Sequence, residues 1–387
     1  MALPNVNITL VRNGLGLVTE TDDNTVAMIL PGVAVADKIN LNEAHAIYST
    51  DEANDLGISS SSNADAYRHI TEFYDIAGSG AKLWIMLVSD TTKLSAMVDS
   101  TLLVCPAKTI LNAGNGEIVA LGIAAAPDDG LDDVTTVDGL DAEVKTARTK
   151  GQVLAMDYLA KIMPFVLVVE GRKMTNAESL ADLHEESNYR TSVALFSSKN
   201  DQSASVGSVL GQIAAISVQQ KISRVKNGAI PVDTAYLSDG VAISGREDLA
   251  TIHDKGYIIA RQFSGKAGYY FNSDYTATGL TDDLGTISHI RVIDKALKIA
   301  YNTYIEELDD DVEVNDDGTL HASVASYLKQ KIENQVNSSM DGEISDFAAQ
   351  IDTTIDILSG NSQKIYLNIT PKGYLNPIEV VLSFVNE

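Results

Sequence analysis

The chain has 387 residues, with 28 Lys and Arg against 53 Asp and Glu, giving a formal charge of −25. An apolar fraction of 45% supports a sizeable folded core in about two domains, and sets the chain apart from a disordered acidic tail. The charge excludes a nucleic-acid surface as the first expectation, because phosphate recognition needs clustered Lys and Arg, and it equally disfavours adsorption through a polybasic face.

In chain order, "NVNITLVR" (5 to 12) alternates apolar and polar residues as a half-buried strand does, and Gly14 and Gly16 follow as a hinge. "TVAMILPG" (25 to 32) reads as a buried strand stopped by Pro31 and Gly32. Ser49 or Thr50 can cap a short helix carrying Asp51 and Glu52 in its first turn, with Gly57 ending it. Ala66, Ile70, Phe73 and Ile76 share one face of a helix over 63–77, closed by Gly78-Ser79-Gly80. Apolar strands are expected at 81–89, where Trp84 reads as core, at 117–127, 164–171 and 191–198, with helices over 142–163 and 203–225. Strands apolar on both faces and alternating with helices predict a sheet covered by helices on each side.

Beyond about residue 246 the texture changes. "KGYIIARQFSGKAGYYFNSD" reads as a hairpin around a glycine turn. A long helix follows with Ile290, Ile293, Leu297, Ala300, Tyr301, Tyr304 and Leu308 on its apolar side. A second helix aligns Val324, Leu328, Ile332, Val336 and Met340. The chain closes with "KIYLNIT" and "PIEVVLSFVNE", the latter patterned as a strand through Ile378, Val380, Leu382 and Phe384. The fold class is therefore α/β (α+β). The expected divisions are a β arm and hinge at 1–20, an α/β domain at 21–245, a hairpin-and-helix domain at 246–362, and a C-terminal β arm at 363–387.

Motifs for chemistry are weak. Cys105 is a lone cysteine in an apolar stretch and reads as a small buried hydrophobe. The six His lack metal-ligand spacing, and neither His184-Glu185 nor His253-Asp254 belongs to a catalytic signature. Gly14-Leu15-Gly16 lacks the third glycine of a dinucleotide loop, and Gly78 to Lys82 runs helix-to-strand, the reverse of a phosphate loop. Glu313, Asn315, Asp317 and Gly318 mimic the start of a calcium loop, but Val324 stands where its bidentate Glu belongs. No run approaches the ~20 apolar residues of a membrane span, and the start carries no secretory signal pattern. The expectation is a non-enzyme without cofactor or metal, soluble and made in the cytoplasm. An α/β enzyme of unrecognised family stays open as an alternative.

The chain ends carry more information. Termini fray unless something holds them, yet both ends here have strand patterning beside Gly- or Pro-containing segments. Gly14 and Gly16 lie at one end, Pro371, Gly373 and Pro377 at the other. Two readings remain open: each terminal strand pairs within its own domain, or it swings out to a neighbour's sheet edge.

The stretch from Asp254 to Leu308, with "FNSDYTATG" and "RVIDKA", resembles the C-terminal domain of contractile tail sheath proteins of myophages, R-type pyocins and related injection systems. "IYLNITPKGYLNPIEVVLSFVNE" is similar to the sheath C-terminal arm, and "NVNITLVRNGLG", "STDEANDLGI" and "EFYDIAGSGAKLWIMLV" to the opening half of smaller sheath subunits. The resemblance spans most of the chain and is weakest over about 128–190. It implies a structural subunit stacked as hexameric rings around an inner tube, contracting to drive that tube through a target envelope. It implies strand exchange between subunits through Val6, Ile8, Leu10, Ile378, Val380, Leu382 and Phe384, with Gly14, Gly16, Pro371, Gly373 and Pro377 as hinges. Implied partners are further copies, the tail tube, and baseplate and tail terminator proteins, with no nucleic acid and no direct membrane insertion. Assembly in a bacterial cytoplasm into a virion tail or contractile particle goes with this. The net charge adds the expectation that Arg291 and Lys295 sit at interfaces to offset self-repulsion. Another self-assembling shell or secretion component is a further alternative.

Overall fold

The computed structural model describes residues 23–126, 135–381 and 383. The strand expected at 5–12, the hinge at Gly14 and Gly16, and Leu382 and Phe384 lie outside these residues. The described chain divides into two compact units, one holding residues up to Lys298 together with the segment from Pro371, the other Ile299–Thr370.

The larger unit is built on a six-stranded sheet. Its strands are β1 (Val26–Gly32), β2 (Ala44–Ile47), β3 (Leu83–Ser89), β4 (Ala120–Ile123), β5 (Val166–Glu170) and β6 (Thr191–Ala194), in the order β2-β3-β1-β4-β5-β6. All neighbours are parallel except β2 against β3. Parallel strands covered on both faces must be apolar throughout, and Val26 to Leu30 and Val166 to Val169 are wholly buried.

Helices α1 (Thr50–Asp55), α2 (Ala64–Ala77), α3 (Pro106–Ala113), α4 (Ala142–Leu159) and α5 (Val206–Ala215) connect and cover the strands. Ser49 caps α1 by accepting from the Glu52 amide, and Gly57 turns the chain at φ 86°. α2 and α5 pack closely because α5 presents glycine to α2. A Cβ at Gly207 would sit 2.0 Å from the His69 carbonyl oxygen, and one at Gly211 2.8 Å from that of Phe73. Cys105 is buried, and burial pushes its thiol pKa up.

Several expectations need correction. The helix expected over 203–225 is confined to α5, because Ile216 turns extended and the following residues form turns. The strand at 191–198 breaks after Ala194, where the Leu195 amide donates to Ile258 instead of continuing the ladder. Trp84 is only partly buried, its indole N–H bonded to Glu117 at 2.5 Å. The hairpin of β7 (Ala260–Phe263) and β8 (Lys266–Phe271) belongs to the larger unit rather than to the C-terminal part. Ile258 pairs with Ala194, and Phe271 stands edge-on to Phe196 at 5.7 Å.

Helix α6 (Ile287–Tyr304) also departs from its expected stripe. Ile293 is 39% and Tyr301 46% exposed, and Leu308 beyond the helix is 71% exposed. The inward face carries Arg291, Asp294 and Lys295 beside Ile290, Val292 and Ile299. Charged groups can occupy that face because each has a partner there, as burial without one would be prohibitive. Arg190 forks onto Asp294 at 2.7 and 2.9 Å.

The smaller unit contains the last turns of α6, α7 (Ala322–Ser339), β9 (Ile344–Ile351) and β10 (Ile365–Pro371). Among the described residues, β9 and β10 form a sheet of two strands. α7 packs on β9, burying Leu328, Ile332 and Val336 of its expected stripe. Its compact cluster is small: Leu320, Ala325, Leu328 and Ile351, flanked by Tyr304, Val324, Ile357 and Ile365. Between helices, Asp317 accepts from Thr319 through side chain and backbone, which holds its carboxyl below the usual range within an ordinary turn.

Candidate assembly surface

The sheet edge and the chain end are the features that chemistry singles out. β9 buries Ile344, Phe347, Ala349 and Ile351 and turns the residues between them to solvent. β10 leaves Ile365, Leu367 and Ile369 only half-buried, and Tyr366 is 49% exposed. A two-stranded sheet is marginal alone and presents unpaired backbone groups at its edges. The Ala349 amide donates to the Glu333 carboxylate of α7 at 3.1 Å rather than to another strand. An open groove of about 460 Å³ runs along this region, lined by Ala325, Ser326, Lys329, Ala348, Gln350 and Asn368 among others.

Past β10, residues 372–381 adopt no strand or helix. Ile378 and Val380 are 69% and 72% exposed, and Leu375 and Val381 still more so. The patterning that predicts a strand there is present, but among the described residues this segment joins no sheet of its own chain. Gly373 has open space where a Cβ would stand. Pro371 ends β10 instead of opening a free arm, so "KIYLNIT", expected as part of the arm, is a body strand.

Arg291 and Lys295 do not face solvent. Arg291 donates to the carbonyls of Asp23 (2.9 Å) and Ile216 (3.1 Å) and to Asn24 Oδ1 (3.1 Å), and Lys295 reaches Asp23 at 2.6 Å. The expectation that they meet another subunit gives way to bonds inside the chain, which the sequence could not signal because the partners lie 75 to 272 positions away.

Sequence reasoning also missed an aromatic cluster. His184 meets Tyr275 edge-on at 5.0 Å and His253 lies 5.4 Å from the same ring. Burial lowers the His253 pKa, reinforced by Arg261, His184 and Lys221, while Asp254 opposes it. His253 thus packs on a ring and bonds Asn272 at 2.9 Å.

At the carboxyl ends of β3, β4 and β5, where doubly wound sheets hold ligands, lies a cavity of about 200 Å³. Its polar groups serve the fold. Asp141 caps α4 through the Glu143 amide, Arg172 lies 3.5 Å from Asp141, and Lys93 lies 3.7 Å from Glu143. Glu170 nearby accepts from the Ala125 and Ala204 amides, and burial raises its carboxyl pKa despite Arg172 and these bonds.

The DUF2586 N-terminal domain pattern matches residues 3–274, and the DUF2586 C-terminal domain pattern residues 283–387. The chain belongs to the DUF2586 family. No curated protein matches this DUF2586 chain in sequence. Among solved structures it is similar to the contracted helical sheath of the anti-feeding prophage, with a TM-score of 0.64 and 13% identity over 100% of both chains. It is similar to the contracted PVC sheath of an extracellular contractile injection system, with a TM-score of 0.61 and 12% identity, covering 99% of this chain and 98% of that one. A sheath tail protein from Desulfitobacterium hafniense aligns at a TM-score of 0.52 and 10% identity, over 95% of this chain and 100% of that one. The DUF2586 chain thus has the fold of contractile sheath proteins from end to end.

Proposed function

We propose that the chain is a structural subunit of a contractile sheath, stacking as six-membered rings around an inner tube and shortening to drive that tube through a target envelope. The observation that carries this reading, beside the shared fold, is the apolar segment 375–381, exposed and, among the described residues, joined to no sheet. Such a segment gains most by adding as a strand to another copy's sheet, where backbone bonds supply affinity and alternate side chains fill pockets. The sheet of β9 and β10, two strands among the described residues, is the recipient on this reading.

In this reading Ile378, Val380, Leu382 and Phe384 pair with one neighbour, and Val6, Ile8 and Leu10 with another. Gly14, Gly16, Gly373, Pro371 and Pro377 permit the bodies to rotate while the strands stay paired. The tube, baseplate and terminator proteins are the further partners, and assembly takes place in a bacterial cytoplasm. Contraction on this account draws on a bistable interface rather than a nucleotide.

Negative-stain electron microscopy of the full chain and of a chain lacking residues 376–387 tests the proposal. Six-fold tubes from the full chain and dispersed, folded protein from the truncated one are expected. Tubes from both would remove the C-terminal strand from the assembly, and compact monomers from both would overturn the sheath reading.

A further inference from the structure

Asp23 and Asn24, the first described residues, and Tyr374, just before the exposed C-terminal segment, are held beside one piece of irregular chain. Residues Ile216 to Lys221 follow α5 and form turns in which Ser217 O takes the Gln220 amide and Lys221 O the Arg224 amide, while Ile216 O and Gln219 O take side chains from elsewhere. Arg291 supplies one set: its guanidinium donates to Ile216 O at 3.1 Å and lies 3.5 Å from Ser217 O. The same guanidinium holds Asp23 O and Asn24 Oδ1, and Lys295, one turn further along α6, holds the Asp23 carboxylate. These are the first described residues after the N-terminal segment. A guanidinium, with five N–H donors in a fixed plane, can serve several acceptors at once in this way.

Tyr374 supplies the other side. Its hydroxyl donates to Gln219 O at 2.6 Å, the Lys221 ammonium lies 4.8 Å from its ring centroid, and the His289 ring stacks on it at 5.7 Å and 29°. Lys221 is in turn 3.4 Å from the buried Asp274 carboxylate, so it is fixed from behind. Tyr374 is the root of the exposed C-terminal segment. Thus the carbonyls at 216 and 219 are taken by side chains that hold the two roots, and His289, Arg291 and Lys295 all come from α6.

We propose that Ile216–Lys221 and α6 form one junction that fixes both chain ends together, with Arg291, Lys295, Lys221 and Tyr374 as its positioning residues. A shift of one root moves a strap whose acceptors also hold the other. For a sheath subunit, the reading this consequence rests on, the two exchanged strands then leave each body in a set relation. A change of angle at one neighbour then reaches the next through bonded side chains rather than through loose linkers.

Backbone hydrogen exchange on the dispersed full-length protein tests the junction with two variants. Tyr374→Ala touches only a half-exposed side chain outside the core, and Asp23→Ala is its counterpart at the other root. Tyr374→Ala is expected to speed exchange severalfold at the Gln220 amide, which donates to Ser217 O, and across the strap at Asn24 and Thr25. Asp23→Ala is expected to do the same at Gln220 and at Tyr374 and Leu375. If each variant speeds exchange only at its own root, the two ends are held separately and the junction is overturned. The readout is taken on dispersed chains, so it stands or falls apart from tube formation, which electron microscopy of the same samples decides.

Discussion

Replacing Asp294 by Ala leaves the Arg190 guanidinium buried with a single remaining acceptor. Arg190 is 1% and Asp294 7% exposed, the fork spans 2.7 and 2.9 Å, and the remaining bond is to the Phe165 carbonyl at 3.3 Å. Burial pushes the Asp294 carboxyl pKa up and the Arg190 fork pulls it back, so the pair is held by geometry against desolvation. Removing one partner of such a pair costs about 3–5 kcal/mol, because the other charge stays buried and uncompensated. With about 2–4 °C lost per kcal/mol in a unit of this size, Asp294→Ala is expected to lower Tm by roughly 6–20 °C. Urea unfolding of the full chain supplies the free energy. A second chain carrying Arg190→Met with Asp294→Ala separates the interaction from the loss of either side chain, since the thioether fills the site without a charge. The double substitution is expected to cost less than Asp294→Ala alone. A loss under about 1 kcal/mol for Asp294→Ala, or additive costs in the double variant, would refute the argument that this pair fastens α6 to the sheet.

Three more outcomes follow from single groups. Burial holds the His69 pKa well below its ordinary value of 6.5, reinforced by Arg68 and Lys199, so the unfolded chain binds the extra proton. Stability carried by this residue is present above pH 6.5 and drains as pH falls below it, by up to about 1.4 kcal/mol per pH unit; denaturant midpoints that fall in parallel for the native chain and His69→Gln between pH 7.5 and 5.5 would contradict this. Gly207→Val is expected to force α2 from α5 and lower Tm, since its Cβ has the His69 carbonyl 2.0 Å away; an unchanged Tm would mean the helices are not in that contact. Glu333→Ala frees the Ala349 amide at the β9 edge and is expected to hasten tube growth followed by light scattering, whereas slower growth would show that the carboxylate assists the incoming strand.

Much of the larger unit is legible from local pattern, for a physical reason. β1 and β5 lie in a parallel sheet buried on both faces, so their runs are apolar without interruption, and helix ends at Ser49, Gly57 and Gly78 carry their own capping chemistry. The α5 overrun has the opposite cause: the carbonyls past the helix end are met by Arg291 and Tyr374, partners 75 and 155 positions away that no local pattern contains. The α6 stripe misleads for a related reason. Periodicity counts Ile293 and Tyr301 as core and Arg291, Asp294 and Lys295 as surface, yet distant partners admit the charges and leave the apolar pair exposed. At the C-terminus the alternation of Ile378 and Val380 is plain in sequence. What sequence cannot state is whose sheet the segment joins, and the structure narrows that by showing no such pairing within the described chain.

The balance at that terminal segment explains why a sheath would need many copies. Burying Leu375, Ile378, Val380 and Val381 on a neighbour contributes roughly 6–12 kcal/mol at about 1.5–3 per side chain. Ordering residues 375–381 costs roughly 7–14 kcal/mol at about 1–2 per residue, so a single exchanged strand is near neutral before its backbone bonds are counted. On the proposed strand exchange, one arm on one neighbour would be a weak, reversible contact, and a chain at −25 adds self-repulsion. Two arms held by one junction change this, because binding of the first strand raises the effective concentration of the second. A ring closed on a tube multiplies the gain, while each strand remains individually marginal. A lattice built that way is stable as a whole, yet its bodies can rotate past one another without any one contact having to be strong.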